Sequence, residues 1–311
     1  MNHKIPGSQL NAWLLTATIG PILSVVGGVG WVTALLASIM CGALYFCMRP
    51  CSLSRLPRWL CILELVWLAV FLGAVAKNSA TCWAEANAFP AIPIILLLLA
   101  AYASKQGSIS SARTGATLLW LVIPILGIVF IAGTADMNLN WIRNEIQVPD
   151  GTLVGVLLIP FLHLFLTGDV YKKMRWPVLA IGAVTVAGSV LLGTVIGAAN
   201  AAEAQNGFYE LSKSVNLFGV AERFEALIAC VLTVSWFTLF TMILSAAFRL
   251  SERIIPFAAK WSVWIVAAWS AVIMCILPSQ NGWVAIGALI FWVFLPALTQ
   301  VLGDEKNIEK K

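Results

Sequence analysis

"TIGPILSVVGGVG", residues 18–30, sets a glycine–proline pair inside an apolar run and follows it with three more glycines. Proline removes an amide donor and clashes with the preceding turn, and glycine relieves the strain of an unwound peptide. What such a segment means depends on the solvent around it. Of the 311 residues, 60% are hydrophobic and 11% charged, and the mean hydropathy is +0.92. A soluble domain carries about 25% charged residues. Long apolar stretches recur from Leu10 to Leu302, the pattern of a polytopic helical membrane protein. A transmembrane β-barrel would show alternating segments of about ten residues, whereas these runs are continuous.

A span needs about 20 apolar residues. On that measure the chain divides into ten, near 9–28, 30–48, 59–80, 89–104, 114–134, 151–170, 177–199, 224–247, 259–278 and 282–302. The hinges carry the turn and charge signals, as in "RPCSLSRLPR" (49–58) and "SKQGSISSAR" (104–113), and the longest polar loops fall at 135–150 and 200–223. With a cytoplasmic N-terminus the inner segments hold fifteen Lys and Arg and the outer segments three, Arg143, Lys213 and Arg223. The positive-inside rule therefore places both termini in the cytoplasm. The first run has only Lys4 before it and no A-x-A exit, so it reads as a retained helix rather than a cleaved signal.

Ten spans divide into two halves of five within one membrane domain: a first repeat over about 9–134, a second over about 151–302, and a short tail, 303–311. Span 1 runs outward and span 6 inward, as inverted-topology repeats require. Span 6 also carries an interruption, Pro160 in "LIPFLHLFLTGD" (158–169). Unpaired backbone at membrane depth survives only where it is buried or lines a cavity, and matched interrupted helices point to a transporter's binding site. The expected ligand site thus lies between Thr18, Ile19, Gly20 and Pro21 on span 1 and Pro160 and His163 on span 6. A simple proline kink is the alternative at each position.

Two stretches suggest a family. "LLLLAAYASKQGSISSAR" (96–113) and "YELSKSVNLFGVAERFEALIACVLTVSWF" (209–237) resemble the spore germinant receptor B subunits, the GerAB-type proteins of the amino acid/polyamine/organocation superfamily. The shared features are an apolar span ending in Ala-Tyr-Ala with a nearby Gly and Arg, and a Tyr-Glu-Leu loop before Glu-Arg-Phe-Glu. The resemblance implies an all-α membrane protein of ten transmembrane helices, with the LeuT-like 5+5 inverted repeat and broken helices 1 and 6. It also implies a subunit that binds a small germinant in the spore inner membrane, beside a larger A subunit and a lipoprotein C subunit, with Trp236 on span 8 near the ligand. The chain departs from the family in span 6, where "PFLHLFLTGD" replaces the expected Phe-Gly-Glu-like stretch.

Ionisable groups inside spans are functional candidates by default. His163 lies about twelve residues into span 6, roughly 18 Å at 1.5 Å per residue, near the middle of a core about 30 Å thick. There it is placed to bind ligand or carry a proton, or to bond a carbonyl freed by the break. Lys77 falls near the outer end of span 3, where its stem can snorkel. Glu64 lies on the inner part of the same span, with no partner evident from the sequence. "ERFEAL" (222–227) opens span 8, and Glu222 and Glu225 share a face at the positive end of the helix dipole. They read as a cap and interfacial anchor, with Glu225 also placed to pair with Lys77 and gate entry.

No acidic residue sits at the span 1 break, so a sodium site is not expected, and proton coupling or no coupling is preferred. The chain has two histidines, no paired deep carboxylates, no C-x-x-C pair among seven cysteines and no Gly-rich nucleotide loop. Enzyme chemistry, a metal site and a cofactor are therefore not expected. Nucleic acid is not implied, because topology accounts for the basic inner loops. Three functions stay open: a germinant receptor subunit, a proton-coupled amino acid or polyamine transporter, and a structural membrane subunit that binds nothing.

Overall fold

A computed structural model of the chain describes residues 5–48, 56–81, 91–141, 151–162, 165–166, 175–197, 200, 206–214, 224–277 and 282–298. Those residues are helical and carry no strand. In chain order the α-helices are α1 (Gly7–Val25), α2 (Trp31–Cys47), α3 (Arg58–Thr81), α4 (Ala91–Lys105), α5 (Ser108–Ala135), α6 (Gly151–Leu157), α7 (Arg175–Leu192), α8 (Gly207–Ser214), α9 (Phe224–Ile254), α10 (Ala259–Ile276) and α11 (Gly282–Ala288). Five of the described helical stretches are long and apolar enough to cross a membrane: Arg58–Ala80, Ser108–Ala135, Arg175–Gly197, Ala226–Ile254 and Pro256–Ile276. Shorter apolar helices cover Trp31–Cys47, Ala91–Lys105 and Gly282–Leu298. Large apolar side chains such as Trp120, Ile131, Phe257 and Ile276 lie on the outside, an arrangement suited to a lipid surround rather than to water. The chain is a helical, multi-pass membrane protein.

The helix ends follow local chemistry. Pro6 precedes the first turn of α1, where its missing amide costs nothing. Gly30 and Met48, both extended, bracket α2. Between α4 and α5 the chain reverses at Gly107, whose φ of 106° lies in the left-handed region that glycine occupies without strain. Pro256 follows an extended Ile255 and separates α9 from α10.

The 31-residue α9 is about 46 Å long at 1.5 Å per residue, and it is the hub of the bundle, touching α1, α3, α4, α5 and α10. On its other sides α1 packs on α5, α6 and α7, while α3 packs on α10, α2 on α7, and α6 on α11. The interior is filled by large side chains, among them Trp13, Trp236, Trp292, Phe71 and Phe240. The five cysteines of the described residues (41, 47, 61, 230 and 275) form no disulfide with one another; Cys51 and Cys82 lie outside those residues.

Three expectations change. The polar loop expected at 200–223 contains a helix, α8, whose Phe208 and Leu211 are fully buried. Those two residues, three apart, dock it on α1, α7 and α9. Span 1 is not broken at Thr18–Pro21. Helix α1 continues through Gly20 and Pro21, and the departure from α geometry comes later, as a 3-10 turn at Val26–Gly28. On either side of the proline, the Thr18 hydroxyl donates to the Leu14 carbonyl at 2.8 Å and the Ser24 hydroxyl to the Gly20 carbonyl at 2.9 Å. Ser/Thr side chains of this kind are among the groups that let membrane helices tolerate proline. The third change is at the end of span 8: helix α9 runs on to Ile254, past the expected boundary at 247.

Span 6 does change form at its proline. Helix α6 ends at Leu157 and a 3-10 turn, Ile159–Leu162, carries the buried Pro160. Two bonds define the transition, Leu158 N–H to the Val154 carbonyl at 3.0 Å and Phe161 N–H to the Leu158 carbonyl at 2.9 Å. His163 lies outside the described residues.

Candidate functional site

The expected site residues of α1 meet α9 at the middle of the bundle. Thr18, Ile19, Gly20 and Pro21 are all buried. Gly20 permits the contact: a Cβ there would stand 2.4 Å from the Ser235 Cβ and 2.9 Å from its Oγ. Glycine at this position therefore serves close helix packing, not unwinding. Ser235 is eleven residues past the start of α9, about 17 Å along the axis, which is mid-depth for a core about 30 Å thick.

Next to that contact lie polar groups without partners. Ser235 Oγ and Trp236 Nε1 are buried and make no hydrogen bond among the described residues, and both side chains are fully enclosed. Trp236 packs on Phe240 at 6.3 Å between ring centroids. An orphaned buried donor costs about 1–3 kcal/mol, and Trp13, Trp67 and Trp292 also leave buried indole nitrogens without a partner among the described residues. The indole N–H can only donate, and the serine hydroxyl can donate or accept. Together they suit a carboxylate or a carbonyl oxygen. By contrast Thr233, Thr238 and Thr241 on the same helix spend their hydroxyl protons on backbone carbonyls.

Helix α6 touches both α1 and α2, and Phe161, beside Pro160, meets Tyr45 of α2 edge-on at 5.3 Å. Proline cannot donate to the carbonyl four residues back, so the Val156 carbonyl loses its usual helical donor. The structure thus brings Gly20 of the expected α1 segment against Ser235 of α9, with Trp236 next in the chain to that serine, and places Pro160 on the segment after α6, a helix that touches α1.

Glu64 is a separate feature. Its side chain is fully buried, and neither carboxyl oxygen has a hydrogen-bond partner among the described residues. Trp67, three residues on and so on the same face of α3, has an unpartnered buried Nε1 as well. Its ring stacks on Phe291 at 5.1 Å and 5° and meets Trp292 at 6.4 Å; the Trp292 Nε1 is also without a partner. Phe291 and Trp292 sit on a π-helical segment, Leu289–Phe294, a geometry found often at functional sites. The sequence shows Glu64 but not this surround, because the contact joins α3 to the last helix.

The expected pairing of Lys77 with Glu225 involves a side chain outside the described residues. The Lys77 Nζ donates to the Leu277 carbonyl, past the last turn of α10. Glu222 and Arg223 also lie outside the described residues. Among the described residues no cluster of His, Cys, Asp or Glu could hold a metal ion.

No protein-family model matches the chain, and no curated protein matches it.

Proposed function

We propose that the chain is the membrane subunit of a germinant receptor, binding a small zwitterion, an amino acid, at mid-membrane between α1, α6 and α9. The observation that carries this reading is a pair of buried polar groups on α9 without a partner among the described residues, Ser235 Oγ at the Gly20 contact and Trp236 Nε1 on the next residue. They would receive the carboxylate, and the Val156 carbonyl released by Pro160 would receive the ammonium group. The resemblance of residues 96–113 and 209–237 to GerAB-type proteins supports the receptor role, together with A and C subunits as partners in a spore inner membrane. Ten spans with both termini inside follow from the hydropathy and charge pattern, and the five long apolar helices fall on expected spans. Contacts of α1 with α6 and of α3 with α9 suit a 5+5 inverted repeat in which helix 6 alone is broken at its proline.

A second reading, a proton-coupled transporter of amino acids or polyamines, is favoured by Glu64, since an intramembrane carboxyl without a partner is a common element of proton pathways. Proteoliposomes separate the two. Binding of labelled amino acid without accumulation under a pH gradient is the outcome expected of a receptor. Gradient-driven accumulation that disappears in Glu64→Gln would establish the transporter. Absence of binding would leave the structural-subunit role.

A further inference from the structure

Where α4 turns into α5 at Gly107, those two helices and α9 line a cavity of about 180 Å³. Its floor is formed by the buried Ser111, Thr238 and Thr241, and its rim by the exposed Tyr102, Gln106 and Thr114. Three hydroxyl protons of this lining are already committed. Thr238 donates to the Val234 carbonyl at 2.6 Å, Thr241 to the Thr238 carbonyl at 2.8 Å, and Thr114 to the Ser110 carbonyl at 3.1 Å. Each oxygen keeps its lone pairs, so the cavity offers acceptors to a ligand rich in hydroxyl donors.

Charge and apolar surface around the opening narrow the ligand further. Lys105 and Arg113, both exposed, stand next in the chain to the lining residues Gln106 and Thr114. Arg249 reaches the same turn, donating to Ser108 Oγ at 3.2 Å, with Glu252 offsetting part of its charge at 3.5 Å. On α4, Ile95, Leu98, Leu99 and Tyr102 form an exposed stripe at helical spacing that leads to the cavity. A basic rim calls for a phosphate, an acceptor-lined cavity for hydroxyls, and an apolar stripe for an acyl chain.

We infer that this cavity is a headgroup site for an anionic glycerol phospholipid. The phosphate lies between Lys105 and Arg113, the glycerol hydroxyls enter the cavity, and one acyl chain follows the α4 stripe. Its assignment to the inner leaflet rests on the orientation read from the positive charges; the site itself does not.

Native mass spectrometry of the full chain in neutral detergent tests this, with phosphatidylglycerol, phosphatidylcholine and glycerol phosphate as probes. Phosphatidylglycerol should be retained in preference to phosphatidylcholine, and glycerol phosphate alone should not be retained. Lys105→Gln and Arg113→Gln should each weaken that preference about fivefold, the scale of one basic residue at an anionic surface. Thr114→Phe should obstruct the opening and lower retention without changing charge. All three positions are exposed, so folding should be unaffected, as elution and melting in phosphatidylcholine will show. Wild-type preference in the Lys105→Gln/Arg113→Gln double variant, or no preference in the wild type, overturns the site. Retention of glycerol phosphate overturns the lipid assignment in favour of a soluble anion. Labelling of Gln106→Cys from the outside of cells would move the site to the other leaflet.

Discussion

Space at Gly20 is measured by its neighbour on α9: an added methyl group would collide with Ser235 at 2.4 Å. Gly20→Ala should therefore overpack the α1–α9 contact and lower stability by about 1–3 kcal/mol. Ser235→Gly, which removes the opposing Cβ, should restore most of the loss in a melting experiment on the double variant. The Gly-Pro pair was legible in the sequence as a special position. Its meaning was not, because unwinding and close packing both call for glycine and the deciding partner lies more than two hundred residues away. Glu64 makes the opposite case. A buried carboxyl with both oxygens unpartnered is costly, and replacing such a group with an apolar one of similar shape is neutral or stabilising. Glu64→Leu should raise the melting temperature of the purified protein while reducing its activity; a lower melting temperature would show that Glu64 holds the fold together.

Helices report differently from residues. The apolar runs were legible because a membrane leaves the backbone little alternative to helix, and each described long helix falls on an expected span. What the runs hide is contact between helices, and Lys77 shows it. Position along α3 suggested Glu225 at the start of span 8 as a partner, a side chain outside the described residues, and nothing in the sequence showed that the lysine also ties α3 to α10 through the Leu277 carbonyl. Lys77→Met keeps the stem and removes the donor. The expected cost is about 1 kcal/mol for the carbonyl left unpaired, read as a lower melting temperature that Glu225→Gln does not reproduce. Equal losses in the two variants would support the Lys77–Glu225 pair. Helix α8 escaped sequence reading for another reason: eight residues with two buried apolar side chains fall below the length at which periodicity can be told from a loop.

At the scale of the whole molecule, orientation and ligand remain the two quantities to measure. Cysteines introduced in the 135–150 and 200–221 segments should label from outside in intact cells, whereas Cys51 and cysteines at 172–175 should not. External labelling of Cys51 would break the ten-span arrangement. The region of the proposed site, spans 1, 6 and 8 at mid-depth, and Trp236 within it were named from the sequence, but Ser235 and the missing partners of both groups were not. Ser235 and Trp236 stand out because the folded chain leaves them unpartnered, and hydropathy cannot record an unmade hydrogen bond. The central claim is that these two groups receive a small zwitterion. Its most direct measurement is thermal stabilisation of the purified chain across amino acids, nucleosides and sugars, with Trp236→Phe as the comparison. Mass action gives about 2.7 kcal/mol of stabilisation at a hundredfold excess over the dissociation constant. At least one amino acid should stabilise the wild type on that scale, and Trp236→Phe, with the indole donor gone, should need a higher concentration for the same shift. Stabilisation by no amino acid, or an identical response in the variant, would contradict the account.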